Sequence, residues 1–290
     1  MKQIVVISGK GGTGKTVMSA CFAVLARNAV LADVDVDASN LHLLLHPEIR
    51  ERHVFKSGRK ARIESARCTA CGLCLPLCRF GALSKDAAGK AAVEPLSCEG
   101  CGVCFHVCLE GAVAMDPQVS GEWFVSATKY GPLVHARLGI AEENSGKLVT
   151  EVRKKAREIA EAEGRDVVIM DGSPGIGCPV IASLTGTDLA LVVTEPTPSG
   201  LHDMERIIEL AQHFKIRTAC CINKFDLDPG YTERIERWCD ERSISVVGKI
   251  AFDPAVPESV VRRIPFVEYV SNSSSDVIRT MWASLWALVR

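Results

Sequence analysis

The chain has 290 residues, of which 47% are apolar and 24% charged, and its formal net charge is −1. That length buries a full core in one large domain or two smaller ones, and the composition is that of an ordinary globular protein. Near-zero charge argues against nucleic acid and an anionic membrane as partners, and no apolar run is long enough to span a bilayer.

The chain enters its first strand at once, over Lys2–Ile7, with no leader ahead of it, which points to the cytoplasm. The strand runs into Gly9-Lys10-Gly11-Gly12-Thr13-Gly14-Lys15-Thr16. A strand ending in G-x-x-x-x-G-K-T is a phosphate cradle. Its glycines let backbone N–H groups close on phosphate oxygens, Lys15 reaches the β and γ oxygens, and the Thr16 hydroxyl binds Mg²⁺. Lys10 is extra to that pattern. The same glycines (Gly9, Gly11, Gly14) also fit the dinucleotide fingerprint, with Asp33 or Asp35 for the ribose, but that reading leaves Lys15 and Thr16 unexplained.

A helix over Thr16–Asn28 leads to a strand over Val30–Val34, which ends in Asp33-Val34-Asp35-Val36-Asp37. These acids fall on the edge that carries the glycine loop. Asp35 suits orientation of a water toward the γ-phosphate, and Asp33 stands nearer the metal shell. Turn and cap formation is the plainer role of Asp37 and Asn40. The basic segment Arg50, Arg52, Lys56, Arg59, Lys60, Arg62 and Arg67 reads as a solvated linker face, with docking of an acidic redox partner as the sharper alternative.

Thirteen cysteines in a reducing compartment point to metal, not disulfides. Cys68, Cys71, Cys74 and Cys78 follow C-x-x-C-x-x-C-x-x-x-C, and the pattern recurs thirty residues later at Cys98, Cys101, Cys104 and Cys108. Cys71-Gly72 matches Cys101-Gly102, and Gly81-Ala82 matches Gly111-Ala112, so the block is an internal duplication. Its spacing is that of bacterial two-cluster ferredoxins, in which the fourth cysteine ligates the other cluster. One 4Fe-4S site is then Cys68, Cys71, Cys74 and Cys108, and the other Cys78, Cys98, Cys101 and Cys104. Structural zinc is the alternative, without the same regularity. Arg79 and Leu109 stand where such ferredoxins usually carry proline.

Further apolar runs at Asp166–Met170, Leu189–Val193, Thr218–Ile222 and Ser245–Ile250 alternate with helical stretches at Lys147–Ala162, Leu201–His213 and Thr232–Arg242. Near-continuous apolar strands separated by helices predict an α/β, doubly wound, mainly parallel sheet with ligands at the carboxyl ends of the strands. The expected division is 1–57 and 118–290 for that domain and 58–117 for the inserted cysteine domain. Trp123–Leu138 returns the chain as one or two extra strands.

Asp171 ends a strand as a Walker B acid does and suits Mg²⁺, and the turn at Gly175 could sense the γ-phosphate. Asn223 and Lys224 end a later strand where a purine is held, and Asn223-Lys224-Phe225-Asp226 also fits a guanine reader, which leaves the base open. Cys178, at a helix start after Asp171, is a candidate thiol or metal site, whereas Cys21, Cys220 and Cys221 read as small core residues. The stripe Ile278, Met281, Trp282, Leu285, Trp286 and Val289 reads as packing against the sheet, with membrane binding as the alternative.

The loop with Lys10, the D-x-D after the second strand, the D-x-x-P-G turn and the Asn-Lys pair resemble the MinD/ParA/Mrp group of deviant Walker A ATPases, of the SIMIBI type of P-loop NTPase. The inserted α+β bacterial ferredoxin domain narrows the likeness to MinD-like ATPases with that insertion. Asp35–Leu45, Tyr130–Val149 and Asp171–Leu184 share it beyond the generic motifs. The resemblance implies an ATP-bound homodimer in which Lys10 crosses to the partner's phosphates, and ATP over GTP. It places such proteins beside small dinitrogenase-cofactor-like metallocluster carriers. Three functions are expected to compete: an ATPase coupled to electron transfer or cluster assembly on a partner metalloprotein; an ATP-dependent spatial organiser that docks through the ferredoxin; and a ferredoxin carrier on a vestigial ATPase fold.

Overall fold

The computed structural model describes residues 1–139 and 145–290. Residues 140–144, part of the Tyr130–Val149 stretch that carries the family likeness, lie outside the described residues. The chain divides into two compact units, Met1–His53 with Glu122–Arg290, and Val54–Gly121.

In chain order the elements are β1 (Lys2–Ser8), α1 (Lys15–Leu25), β2 (Ala29–Asp33), α2 (Leu41–Leu45), β3 (Glu48–Ile63), β4 (Leu83–Lys85), β5 (Ala91–Val93), α3 (Val103–Val107), β6 (Val113–Thr128) and β7 (Gly131–Leu138). They continue as α4 (Ser145–Ala162), β8 (Val167–Pro174), α5 (Cys178–Leu184), β9 (Leu189–Thr194), α6 (Pro198–His213), β10 (Arg217–Asn223), α7 (Pro229–Asp240), β11 (Ser245–Ile250), α8 (Ala255–Val261), α9 (Phe266–Tyr269) and α10 (Ser273–Val289).

In the first unit the sheet order is β11-β10-β9-β1-β8-β2-β7, with the adjoining ends of β6 and β3 at one edge. The pairings from β11 through β7 are all parallel. This is the doubly wound sheet that the apolar runs predict. Strands β1, β2, β8 and β9 are almost entirely buried, because helices cover both faces. Ile4 and Val6 face a core built with Met18 and Phe22 of α1 and with Ile278, Met281 and Leu285 of α10. α4 closes the sheet elsewhere with Leu148, Val149, Val152, Ala156 and Ala160.

One reading changes. Of the basic segment read as a linker, Arg50 to Arg62 lie on β3, a strand of 16 residues at the sheet edge in which Phe55 and Ser57 turn inward between exposed neighbours, and Arg67 follows it. Its charges follow the strand alternation and mark an edge that resists further pairing. The terminal stripe forms α10 and packs on the core as expected, with the Trp282 ring tilted 31° from that of Phe22 at a centroid distance of 5.3 Å. Among the described residues no helix is long and apolar enough to cross a membrane.

The second unit repeats itself in three dimensions. Ala70 and Gly100 share φ near +60° (59° and 64°), and Cys78 and Cys108 share φ, ψ of −79°, 100° and −80°, 103°. Glu64 N–H donates to the Ala112 carbonyl at 2.7 Å, and Glu94 N–H to the Ala82 carbonyl at 2.8 Å. Each half thus closes onto the other. The unit is slightly wider than the expected 58–117, because β3 and β6 continue as strand.

Candidate functional site

The glycine loop leaves the end of β1 and turns into α1 at Gly14, whose φ of 96° only glycine adopts freely. Space imposes the same choice: a Cβ on Gly14 would lie 2.7 Å from Asn223 Nδ2. That amide donates to the Thr13 carbonyl at 2.9 Å, and its oxygen accepts from Lys224 N–H at 3.1 Å. Asn223, expected at a purine, thus braces the loop here. Asp226, its expected companion, accepts from Phe252 N–H at 2.6 Å.

Lys15 is buried, 6% exposed, and its charge lies near Asp35 and Asp171. Asp171, Asp33 and His135 stand side by side in register across β8, β2 and β7. Burial raises the Asp171 carboxyl to about 6, although Thr16, Lys15 and Ser19 pull it back. Burial also raises Asp33, and Asp171 raises it further. Asp35, closer to the surface, is raised by burial and lowered by Lys15. Asp171 Oδ1 accepts from Ser19 at 2.9 Å, while its buried Oδ2 has no partner among the described residues. Crowded carboxylates beside an orphaned oxygen fit a divalent cation, which would supply the missing counter-charge. Thr16, Asp35 and Asp171 fit that role best. Asp33 spends its oxygens on Ser39 (2.6 Å), Leu41 N–H (3.0 Å) and Asp35 N–H (3.2 Å), fastening α2 and the intervening loop to the sheet. Gly175 N–H donates to the Ser8 carbonyl at 3.0 Å, which joins the turn after β8 to the end of β1.

Lys10 does not point into solvent. Its Nζ lies 3.2 Å from Glu195 Oε2 and 3.4 Å from Thr197 Oγ1, while Lys224 Nζ meets Glu195 Oε1 at 2.5 Å. Burial pushes the Glu195 carboxyl up, but hydrogen bonds from Lys224 and Lys10 outweigh it and hold the group below the usual range. Glu195, at the end of β9, escaped the sequence reading, as did Asp203 of α6, whose Cβ would be 2.0 Å from a Cβ on Gly9. Only a lone acid after an apolar run signalled Glu195.

In the second unit the cysteines fall into two sets. One cavity is lined by Cys68, Cys71, Cys74 and Cys108, and a separate one by Cys78, Cys98, Cys101 and Cys104. Burial raises the Cys74 thiol, and Cys108, Cys68 and Cys71 add to it; burial raises Cys104, with Cys98 and Cys101 adding. Backbone N–H groups point at sulfur, Ala112 to Cys108 at 3.2 Å and Ala61 to Cys98 at 3.5 Å. Gly100 is packed so closely that a Cβ would fall 2.0 Å from the Arg59 carbonyl. Among the described residues no group of three or more His, Cys, Asp or Glu side chains is arranged to hold a metal ion. Cys178 is exposed at the start of α5, and no such group includes it.

Residues 4–266 match the family described as CbiA, the CobQ/CobB/MinD/ParA nucleotide binding domain. The chain is 32% identical over 288 residues to the uncharacterized protein MJ0578 of Methanocaldococcus jannaschii, covering 98% of this chain and 96% of that one. Among solved structures it resembles the septum site-determining protein MinD of Pyrococcus horikoshii complexed with Mg-ADP (TM-score 0.58, 15% identity, 98% of this chain and 95% of that one). It also resembles apo McdA of Cyanothece (TM-score 0.59, 14% identity, 98% and 99%). At such identities the two structures speak for the fold alone.

Proposed function

Because the chain belongs to the CobQ/CobB/MinD/ParA nucleotide-binding family, we propose that it is a homodimeric Mg-ATPase whose insert holds two 4Fe-4S clusters. Nucleotide state would be coupled to electron transfer, or to cluster assembly, on a partner metalloprotein. The observation that carries this reading is the grouping of eight cysteines into two crossed sets around separate cavities, in a chain that also has a complete phosphate loop.

Backbone N–H groups of Gly11 to Lys15 and the Lys15 ammonium hold the phosphates, and Thr16 with Asp171 holds the metal. Asp35 orients a water for in-line attack on the γ-phosphorus as the bond to the bridging oxygen breaks. Lys10 leaves Glu195 and crosses to the partner's phosphates, where its charge offsets that of the transferring group. Hydrolysis breaks the contacts of the loops at Asp35 and Gly175 with the γ-phosphate. The clusters would supply one-electron chemistry, and the chain contributes thiolates, backbone N–H groups at sulfur and an alanine-rich shell that limits water. The family resemblance favours ATP over GTP.

The test is an anaerobic redox titration of reconstituted protein followed by EPR, run without nucleotide, with Mg-ADP and with a non-hydrolysable Mg-ATP analogue. About eight irons per chain and a nucleotide-dependent potential support the reading. Failure to bind iron, with nucleotide binding intact, would overturn it. The fold neighbours, MinD and McdA among them, favour a second reading, a spatial organiser that docks on a partner or a surface in an ATP-dependent way. Liposome co-sedimentation tests its membrane form: ATP-dependent pelleting supports it, although α10, packed on the core by Ile278, Met281 and Leu285, does not offer that face to a bilayer.

A further inference from the structure

A cavity of about 430 Å³ opens in the first unit at the carboxyl ends of β2 and β7, outside the nucleotide machinery. One wall is the loop Val36–Asn40, which follows Asp35; the others come from α2, the start of β3 and the ends of β6 and β7. Its volume lies in the range of small-molecule sites, and its place is where doubly wound sheets bind ligands.

The wall is a stack of flat rings. His135 lies 5.0 Å from Phe124 and 5.9 Å from His42, centroid to centroid, and the Arg52 guanidinium covers Phe124 at 5.3 Å. Burial lowers both histidines, His135 to about 4, so both imidazoles are neutral at pH 7 and offer hydrogen bonds in place of charge. His135 is tied to Ser126 Oγ at 3.0 Å, whereas buried His42 Nδ1 has no partner among the described residues. Two cations stand at the rim. Arg52 and Arg137 each give one nitrogen to Glu122, at 3.4 and 3.3 Å, which gathers the two guanidiniums, and among the described residues neither has another hydrogen-bond partner. Among the described residues Asp37 is the one acid that lines the cavity, and it is exposed on the loop.

We propose that this cavity binds a small organic carboxylate with a flat apolar body, its charge held by Arg52 and Arg137 and its body laid against His42, His135 and Phe124. Two guanidiniums gathered on one carboxylate match an anionic group, and the apolar wall of stacked rings, with His42 at its outer end, matches an organic body better than a bare anion such as phosphate. The site communicates with the nucleotide. Ser39 and Leu41 of the loop and α2 are both fastened to Asp33, which lies in register between His135 and Asp171. A ligand that orders Val36–Asn40 therefore alters the segment that carries Asp35. Binding stands apart from the iron-sulfur reading; only the coupling rests on the nucleotide reading.

The probe is benzoate, titrated calorimetrically into the full-length protein, with benzamide as the uncharged control and acetate as the control without a ring. Saturable one-to-one binding is expected, at least tenfold tighter for benzoate than for either control, and weakened at least tenfold in Arg52→Gln/Arg137→Gln. Both arginines are exposed, so folding is preserved; Ile49→Trp, at a half-exposed position of the lining, fills the cavity and should abolish binding with both arginines present. Mg-ADP should change benzoate affinity, and benzoate the Mg-ADP affinity, by the same factor. Equal binding of benzamide, or binding retained in both variants, overturns the site. Benzoate affinity unchanged by saturating Mg-ADP overturns the coupling.

Discussion

Asn223 and Glu195 take from the end of the sheet what the phosphate loop cannot supply for itself. Removing the Asn223 amide in Asn223→Ala leaves the Thr13 carbonyl without its donor, so a loss of about 1–2 kcal/mol in stability is expected, together with a weaker thermal shift on adding Mg-ADP. Lys15→Ala should abolish nucleotide binding. Asp35→Ala should retain binding and lose hydrolysis, which separate binding and phosphate-release assays distinguish. His135 gives a pH signature. The unfolded chain takes up its proton near the ordinary histidine pKa of about 6.5, while the native state resists to about 4. The unfolded state therefore binds more protons across that window, and stability falls as pH drops through it, with a ceiling on the order of 3 kcal/mol. His42, also lowered, adds in the same direction, whereas the raised carboxyls of Asp33, Asp35 and Asp171 oppose it. Denaturant melts at pH 6.5 and 4.5 should show His135→Gln losing less stability, or gaining more, than the parent on acidification.

At the scale of elements, α10 and β3 carry the clearest consequences. Leu285 is wholly buried between α10 and the sheet, so Leu285→Ala should cost about 2–5 kcal/mol, read from denaturant midpoints at unchanged m-value. A membrane-seeking helix would tolerate that change in solution. α2 is too short to hold itself, and its start is capped from Asp33 across the loop, not by Asn40, which makes no side-chain cap bond. Loop and helix are in this way tied to the strand that bears the acids.

The two units differ in what can hold them together. The first buries a continuous core of Leu, Ile, Val and Phe from both faces of the sheet. In Val54–Gly121 the buried apolar residues are Phe55, Ala61, Ala82, Ala91, Ala112 and Val113, mostly alanines. So little apolar area does not sustain a unit of that size, and metal–thiolate bonds would supply what the core lacks. Calorimetry of the reconstituted protein should accordingly give two transitions. Stripping iron anaerobically should abolish the one assigned to the insert and leave the other responsive to Mg-ADP. A single iron-independent transition would count against the clusters.

The phosphate loop, the acids at Asp33, Asp35 and Asp171, the parallel strands and the two cysteine sets were all legible in the chain, because each is a local matter. Glycine spacing sets a backbone turn, apolar runs set a buried strand, and a three-residue cysteine interval sets which sulfurs share a face. The ferredoxin-like spacing leads to the expectation that the fourth cysteine of each half joins the other half's three, and Cys108 does line the cavity of Cys68, Cys71 and Cys74, as Cys78 lines that of Cys98, Cys101 and Cys104. What the sequence could not determine is who meets whom across the sheet. Lys10 reaches Glu195, Thr13 is held by Asn223, and Asp33 stands between Asp171 and His135, all through contacts that join residues about a hundred or more positions apart. Such contacts leave no periodic trace, because parallel strand order and register are fixed by crossover helices and the packing beneath them. Tertiary structure alone decided that Lys10, the extra lysine of the loop, has a counter-ion and that a ring-lined cavity lies behind the acids.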